Sequence, residues 1–433
     1  MERRTFVKSV AAGLAGLPLL PRLSAATNEQ IQTLATDLGP LTEGAARWRR
    51  VRSEFNYTPD LIHLNCGTIG ATPRSIIEAQ CSLLHELESS PYHHTFEGTG
   101  LYGQIDGVRD KAAAFLGATK DEMALTANTT EGMNGVATGI DFKEGDEVLT
   151  TNHEHGGGMS GWQYLVKYRG IKIVQVKIPP PAKNKDQIVE LITAKITPRT
   201  RVVFLSHVET ITGTLMPLAE ISALTRPKGI LLVCDGAQAP GMVQVDVKAL
   251  GVDTYASSSH KWMLAPKGSG LLFVRKEVQE QVHPVSLHGG YGAYSGSIGT
   301  RGWPLLIAHG LTMDFHHAIG RPQVEARCRE LNNYLRQRLD RLPHLRCLSP
   351  ADPSIASPGI VTYSLDKGKN GEIVTRLHDE YNIWVKSAAG TYNIPGGLPN
   401  EDYNALRFST HIYNDEAQID RTTEVLEGML KAL

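Results

Sequence analysis

Five short stretches of this chain hold residues whose chemistry could converge. In SSSHKWMLAPKGSG (257–270), Lys261 sits among serines and a histidine rather than among other charges. An amine placed so that it is not a solvated surface cation can add to a carbonyl or move a proton. In LLVCDGAQAPG (231–241), Asp235 follows four apolar residues, where a buried strand runs out. A carboxylate there is costly unless a cation meets it. TANTTEGMNG (126–135) places Thr129 and Thr130 after an apolar strand pattern and at the opening of a helix. Hydroxyls with free backbone N–H groups at a helix N-terminus suit an anion such as a phosphate ester, though the same pattern also reads as an ordinary helix cap. TNHEHGGGMSGW (151–162) sets His153 and His155 before a glycine run that leaves space. No third ligand stands at metal-binding spacing, so an imidazole stacked on a flat ring is the better reading than a metal centre. ALRFSTHIYN (405–414) ends a strand pattern on Arg407, whose guanidinium can hold a carboxylate by two parallel hydrogen bonds or simply form a surface ion pair.

The elements that must position these residues follow from hydrophobic periodicity. EMALT, DEVLTT, IKIVQVKI, RVVFLSHV, ILLVCD, VDTYAS and GLLFVRK read as strands, with amphipathic pieces such as QIVELITAKI and LAEISALT between some of them. That alternation predicts an α/β fold with a mainly parallel seven-stranded sheet covered on both faces, and ligands then gather at the carboxyl ends of the strands. Near Pro322 the rhythm changes to a long helix pattern, VEARCRELNNYLRQRLDRL, followed by GIVTYSL, EIVTRLHDEY, IWVKS, ALRFST and a last helix. The expected organisation is residues 27–80 as an N-terminal segment joining the small domain, 81–320 as the large domain and 321–433 as a smaller C-terminal α/β domain. The stretch Thr27 to Pro59 reads as polar, without a clear element.

Composition narrows the partners. Lys and Arg number 44 against 45 Asp and Glu, which leaves no electrostatic footprint for nucleic acid or an anionic membrane. A small neutral or zwitterionic substrate fits better. The five cysteines, Cys66, Cys81, Cys234, Cys328 and Cys347, are odd in number and contain no CxxC pair, so they read as buried free thiols.

One molecule needs four of these five chemistries. Pyridoxal 5'-phosphate takes a lysine amine on its aldehyde, a carboxylate at its ring nitrogen, an anion site for its phosphate and a flat group against its ring. The chain resembles the class V aminotransferase family of fold-type I pyridoxal-phosphate enzymes, from about Ile62 to Tyr413. The resemblance is carried in order by HLNCGTIGATP (63–73), NTTEGMN (128–134), HVETITGTLMPL (207–218), CDGAQAPG (234–241), SSSHKWMLAPKGSG and RFSTHIYN (407–414). It implies that Lys261 is the lysine bonded to the cofactor and that Asp235 partners the ring nitrogen. Gln238 would lie near the phenolate oxygen and His155 would stack on the ring. Thr129, Thr130, Ser258 and His260 would hold the phosphate, with Thr210 also at the cofactor. Arg407 would bind the substrate carboxylate, and Asn65 would also be a substrate-binding residue. SIGT (297–300) implies that Thr300 reaches the phosphate of a neighbouring subunit, and so a homodimer.

Within the family, KSAAGTYNIPGGLPNEDYNALR (386–407) lacks the cysteine that desulfurases carry there, which argues against persulfide chemistry. The wording around LNCGTIGATP and HKWMLAPKGSG is closer to the isopenicillin-N-epimerase-like branch, whose members include epimerases, transaminases, lyases and decarboxylases. At the N-terminus, ERRTFVKSVAAGLAGLPLL puts Arg3 and Arg4 before a short, weakly apolar run, and LSAAT follows. This resembles a twin-arginine export signal over residues 1–26, with the translocase as partner in transit and the periplasm as destination. Together with the lysine constellation it looks like the periplasmic pyridoxal-phosphate enzymes that tailor peptide siderophores such as pyoverdine. The expectation is an enzyme acting on the free amine of an amino acid or peptidic metabolite, by transamination or oxidative decarboxylation, with racemisation or lyase chemistry as alternatives. An exported, non-catalytic binding protein is the reading from another class. Tyr291, Tyr294 and Arg301 are further candidates for lining the substrate pocket.

Overall fold

The structure, a computed structural model, describes residues 23–41, 44–98, 100–283, 300–391, 394 and 397–433. Residues 1–22 of the expected leader (1–26), Tyr291 and Tyr294 therefore lie outside the described residues, and residues 23–26 open the helix Leu23–Leu38.

The strands in chain order are β1 (Ile62–His63), β2 (Met123–Thr126), β3 (Glu147–Thr151), β4 (Lys172–Val176), β5 (Thr200–Ser206), β6 (Leu231–Asp235), β7 (Thr254–Ser258), β8 (Gly270–Val274), β9 (Leu345–Cys347), β10 (Ile360–Leu365), β11 (Ile383–Trp384), β12 (Lys386–Gly390) and β13 (Asp402–Ser409). Seven of them form one sheet in the order β2-β8-β7-β6-β5-β3-β4. Its pairings are parallel except at β8, which runs antiparallel to both neighbours. This is the α/β sheet expected from the alternating pattern. Strands β6, β7 and β8 are buried along their whole length, which is why LLVCD and GLLFV read as continuous apolar runs rather than alternating ones.

A second, antiparallel sheet has the order β12-β13-β10-β9. Its core gathers Val361, Tyr363, Leu406 and Phe408 against Leu331 and Leu335 of the helix Arg321–Leu339 and Ile419 and Leu426 of the helix Glu416–Lys431. The segment after β1 crosses to this smaller unit: β1 pairs in parallel with β11, and Asn65 bridges to Ser409.

Two helices, Leu23–Leu38 and Ala45–Arg52, occupy the stretch that reads as polar and featureless. Ile31, Leu34 and Leu38 are buried at helical spacing, a stripe too sparse to stand out among polar neighbours. The helix Trp303–Ile319 is buried on nearly every side. Cys81 is exposed rather than buried, because the buried residues of the helix Arg74–Ser89 are Ser75, Ile76, Ala79 and Leu83 and Cys81 lies off that stripe. Among the described residues no helix is long and apolar enough to cross a membrane.

Candidate active site

Strands β6 and β7 are parallel neighbours, with Asp235 in register with Ala256, so their carboxyl ends open on one edge of the sheet. Asp235 ends β6, is 3% exposed and accepts a hydrogen bond from the Ala237 N–H at 2.9 Å. Burial pushes its carboxyl pKa up, while that hydrogen bond and the Lys261 charge pull it down. Lys261 lies three residues beyond the end of β7, in a tight loop in which the Ala265 N–H donates to the Ser259 carbonyl at 3.0 Å and Leu264 adopts φ 59°. Among the described residues its amine has no hydrogen-bond or ion-pair partner. Desolvation pulls the lysine pKa down to about 8, against the opposing attraction of Asp235.

The loop that carries Asn65 closes over this lysine loop. The Gly70 N–H donates to the His260 carbonyl at 2.9 Å, and Lys267 donates to the Gly70 carbonyl at 2.8 Å and to Thr72 Oγ1 at 3.2 Å. A Cβ on Gly70 would stand 2.1 Å from the Lys261 carbonyl oxygen, so only glycine permits this approach.

Thr129 and Thr130 open the helix Thr129–Gly139, as expected, and Asn128 caps it by accepting from the Glu131 N–H. The Thr129 N–H and hydroxyl both meet Ser258 Oγ, at 3.0 and 2.8 Å. His260 has a buried Nδ1 without a partner, and burial together with Lys261 and Lys267 pushes its pKa down to about 4. His155 caps the helix Gly156–Arg169, accepting from the Gly157 N–H at 3.1 Å. Desolvation and the charges of Lys261, Arg407 and Lys386 push its pKa down to about 4, so the ring is neutral. The glycines after it keep a cradle open. A Cβ on Gly157 would stand 2.5 Å from Thr130 Oγ1, and one on Gly158 would stand 2.6 Å from Asp235 Oδ2.

Arg407 comes from β13 in the smaller unit and is 3% exposed. Its Nη1 donates to the Thr210 carbonyl and hydroxyl at 3.0 and 2.7 Å, and its Nη2 donates to Asn65 Oδ1 at 3.2 Å and Thr68 Oγ1 at 3.0 Å. All four acceptors are neutral, and its Nε is buried without a partner. Desolvation lowers the guanidinium pKa to about 10, a cation held ready for an anion. Gln238 donates to the Gly67 carbonyl at 2.8 Å and to Thr210 Oγ1 at 3.2 Å, and accepts from Trp262 Nε1 at 2.7 Å.

The structure thus brings Lys261, Asp235, His155, Thr129, Thr130, Ser258, His260, Gln238, Thr210, Asn65 and Arg407 to one edge. Thr300 is exposed and has no hydrogen bond to any of them, while Arg301 donates to the Leu125 carbonyl at 3.0 Å. His153 is fully buried, with its ring nitrogens against Glu209 and Tyr403. Sequence reading missed Thr68, which lies inside a quoted block but holds Arg407 through a hydroxyl whose type alone carries no signal. It also missed Glu154, where burial pushes the carboxyl pKa up to about 8 against hydrogen bonds from Ser206 and Thr151.

A family model for class V aminotransferases matches residues 70–422. The chain belongs to this family and is an enzyme of it. It is 29% identical over 417 residues to the isopenicillin N epimerase of Amycolatopsis lactamdurans, covering 89% of this chain and all of that protein. It is 26% identical to a probable cysteine desulfurase of Methanothermobacter thermautotrophicus, covering 88% of this chain and 98% of that one. Its fold is similar to that of a C-DES lysine-to-alanine variant with glycine covalently linked to the pyridoxal-phosphate cofactor. That match has a TM-score of 0.77 at 23% identity and covers 87% of this chain and 98% of the other.

The cofactor of the family is pyridoxal phosphate, and the residues at this edge fit it. The unpartnered Lys261 amine, the orphaned His260 Nδ1 and the glycine-lined space beside Asp235 and Thr130 are what such a group would fill.

Proposed function

We propose that the chain is a pyridoxal-phosphate enzyme of the epimerase-like branch, acting on the free amine of an amino acid or peptidic metabolite. The observation that carries this reading is the unpartnered Lys261 amine facing a buried Asp235 from the adjacent strand end. Bound here, the cofactor would supply an aldehyde that captures amines and a ring that takes up electrons from a bond broken at the substrate's α-carbon.

The chain's own residues divide the remaining work. Lys261 would hold the cofactor through its amine and would be the group placed to move a proton at the substrate's α-carbon. Asp235 keeps a proton on the ring nitrogen. Thr129, Thr130, Ser258 and His260 bind the phosphate at a helix N-terminus, with the dipole favouring its charge. Neutral His155 would offer a flat group for the cofactor's ring to pack against. Arg407, fixed by Asn65, Thr68 and Thr210, orients the substrate carboxylate. Transamination, with an α-keto acid taking up the amino group, or oxidative decarboxylation, with dioxygen as the electron acceptor, is the reaction type proposed, ahead of epimerisation. Export by the twin-arginine route, a periplasmic role in siderophore tailoring and a homodimer in which Thr300 serves the neighbouring subunit's phosphate complete the reading.

Lys261→Ala is the direct test. The purified wild-type protein should take up pyridoxal phosphate with a visible absorption band that shifts on adding a substrate amine, and the variant should lose both the band and turnover by about 10²–10⁴-fold or more. Turnover that survives in the variant would refute the assignment. Mass spectrometry of amines and siderophore precursors, with and without an α-keto acid, separates transamination from decarboxylation.

A further inference from the structure

The mechanism leaves His153 unused, although it stands two residues from His155 and is 0% exposed. It joins three elements. The residue follows β3, its Nδ1 meets Glu209 Oε2 at 3.0 Å, and its Nε2 meets the Tyr403 hydroxyl at 2.9 Å.

Both partners lead to Arg407. Glu209 immediately precedes Thr210, which accepts twice from Arg407 Nη1. Tyr403 lies on β13 with Arg407; the register shifts between them, where Asn404 adopts φ 45°, and Tyr403 packs beside Ala405, two positions from Arg407 and so on its face of the strand. The loop between β5 and the helix Leu218–Thr225 is itself sewn to the smaller unit. Ser349 Oγ donates to the Thr212 carbonyl at 2.6 Å, Thr362 Oγ1 to the Ile211 carbonyl at 2.6 Å and the Ser357 N–H to the Gly213 carbonyl at 3.0 Å. Loop and β13 are thereby joined, while the loop also stays bound to the large sheet through β5 and through Gln238, which donates to Thr210 Oγ1. His153 ties the loop further to the end of β3, in the same sheet as β6, which ends on Asp235, and β7, which leads to Lys261. The same seam continues outward, where Tyr403 donates to Glu401 at 3.1 Å and Lys177, just beyond β4, pairs with Glu401.

We infer that His153 is a positioning residue: acting through Glu209 and Tyr403, it sets where Arg407 stands relative to Lys261, and so how tightly an α-carboxylate is held while its amine reacts. This rests on the reading of Arg407 as the carboxylate site. His153 itself touches neither substrate nor cofactor.

The test uses the holoenzyme and its visible absorption. The probes are the common α-amino acid that perturbs the wild-type band at lowest concentration and the amine formed by removing its carboxylate. His153→Phe should raise the apparent Kd of the amino acid by about tenfold or more, the scale of a misplaced positioning contact, and leave that of the amine within about twofold. Tyr403→Phe, which removes a single hydroxyl, should move the amino acid in the same direction by less. His153→Gln, which keeps an N–H toward Glu209, should recover part of the loss. In the cofactor-free chain, amide exchange of residues 209–215 should quicken in His153→Phe. Equal weakening of both probes, or a fall in melting temperature with no change in either Kd, would overturn the inference. If Arg407→Ala fails to separate the two probes, or no amino acid perturbs the wild-type band, the carboxylate reading itself fails.

Discussion

At the scale of single residues, the active edge is governed by desolvation. Lys261, lowered to about 8, is about a tenth neutral at pH 7 and half neutral near pH 8. Only the neutral amine attacks an aldehyde. Reconstitution of the cofactor-free protein should therefore accelerate through pH 7–8.5 and level off well below the ordinary lysine range, as stopped-flow absorbance would show. Glu154 obeys the opposite sign. Its carboxyl is raised to about 8, so between its unfolded value and pH 8 the folded chain holds a proton that the unfolded chain has lost. Stability from this group is present at low pH and fades as pH climbs through that window. Glu154→Gln should remove the dependence, so that the melting temperature of the wild type falls relative to the variant between pH 5 and 8.

At the scale of elements, glycine positions decide how near the helices come to the sheet. Gly158 lies in the helix that His155 caps, where an added Cβ would meet Asp235 Oδ2 at 2.6 Å and Phe204 Cζ at 3.0 Å. Gly158→Ala should cost about 1–3 kcal/mol by overpacking and weaken pyridoxal phosphate measurably in an equilibrium titration, because the helix start must shift. The strands around this helix were plain in the sequence, since apolar runs such as LLVCD and GLLFV admit few other readings. The helix Leu23–Leu38 was not, because its buried stripe is thin and its remaining positions are polar. The same contrast holds within the site. Lys261, Asp235 and Arg407 stood out as charges at strand ends, whereas Thr68 and Glu154 act through contacts made by folding across distant segments. His153 was visible as a polar residue of note, but its partners Glu209 and Tyr403 lie 56 and 250 positions away, beyond any local pattern.

At the scale of the whole molecule, the N-terminal twin-arginine pattern and Thr300 raise questions of address and assembly. Replacing Arg3 and Arg4 by lysine should trap the protein in the cytoplasm, read by cell fractionation, if the export proposal holds. Light scattering should give twice the mass of one chain, and Thr300→Ala should loosen pyridoxal phosphate while leaving the oligomer intact. A monomer in solution with full cofactor affinity would remove the shared-phosphate proposal.

The Asn65–Thr68 loop donates its acceptors to an arginine 339 positions downstream of Thr68. During synthesis the ribosome delivers Lys261 and Asp235 before β13 emerges, so under the proposed roles a nascent chain would hold its aldehyde-capturing amine before any clamp for a carboxylate. Under that proposal, selectivity among amines waits on the synthesis and docking of β13.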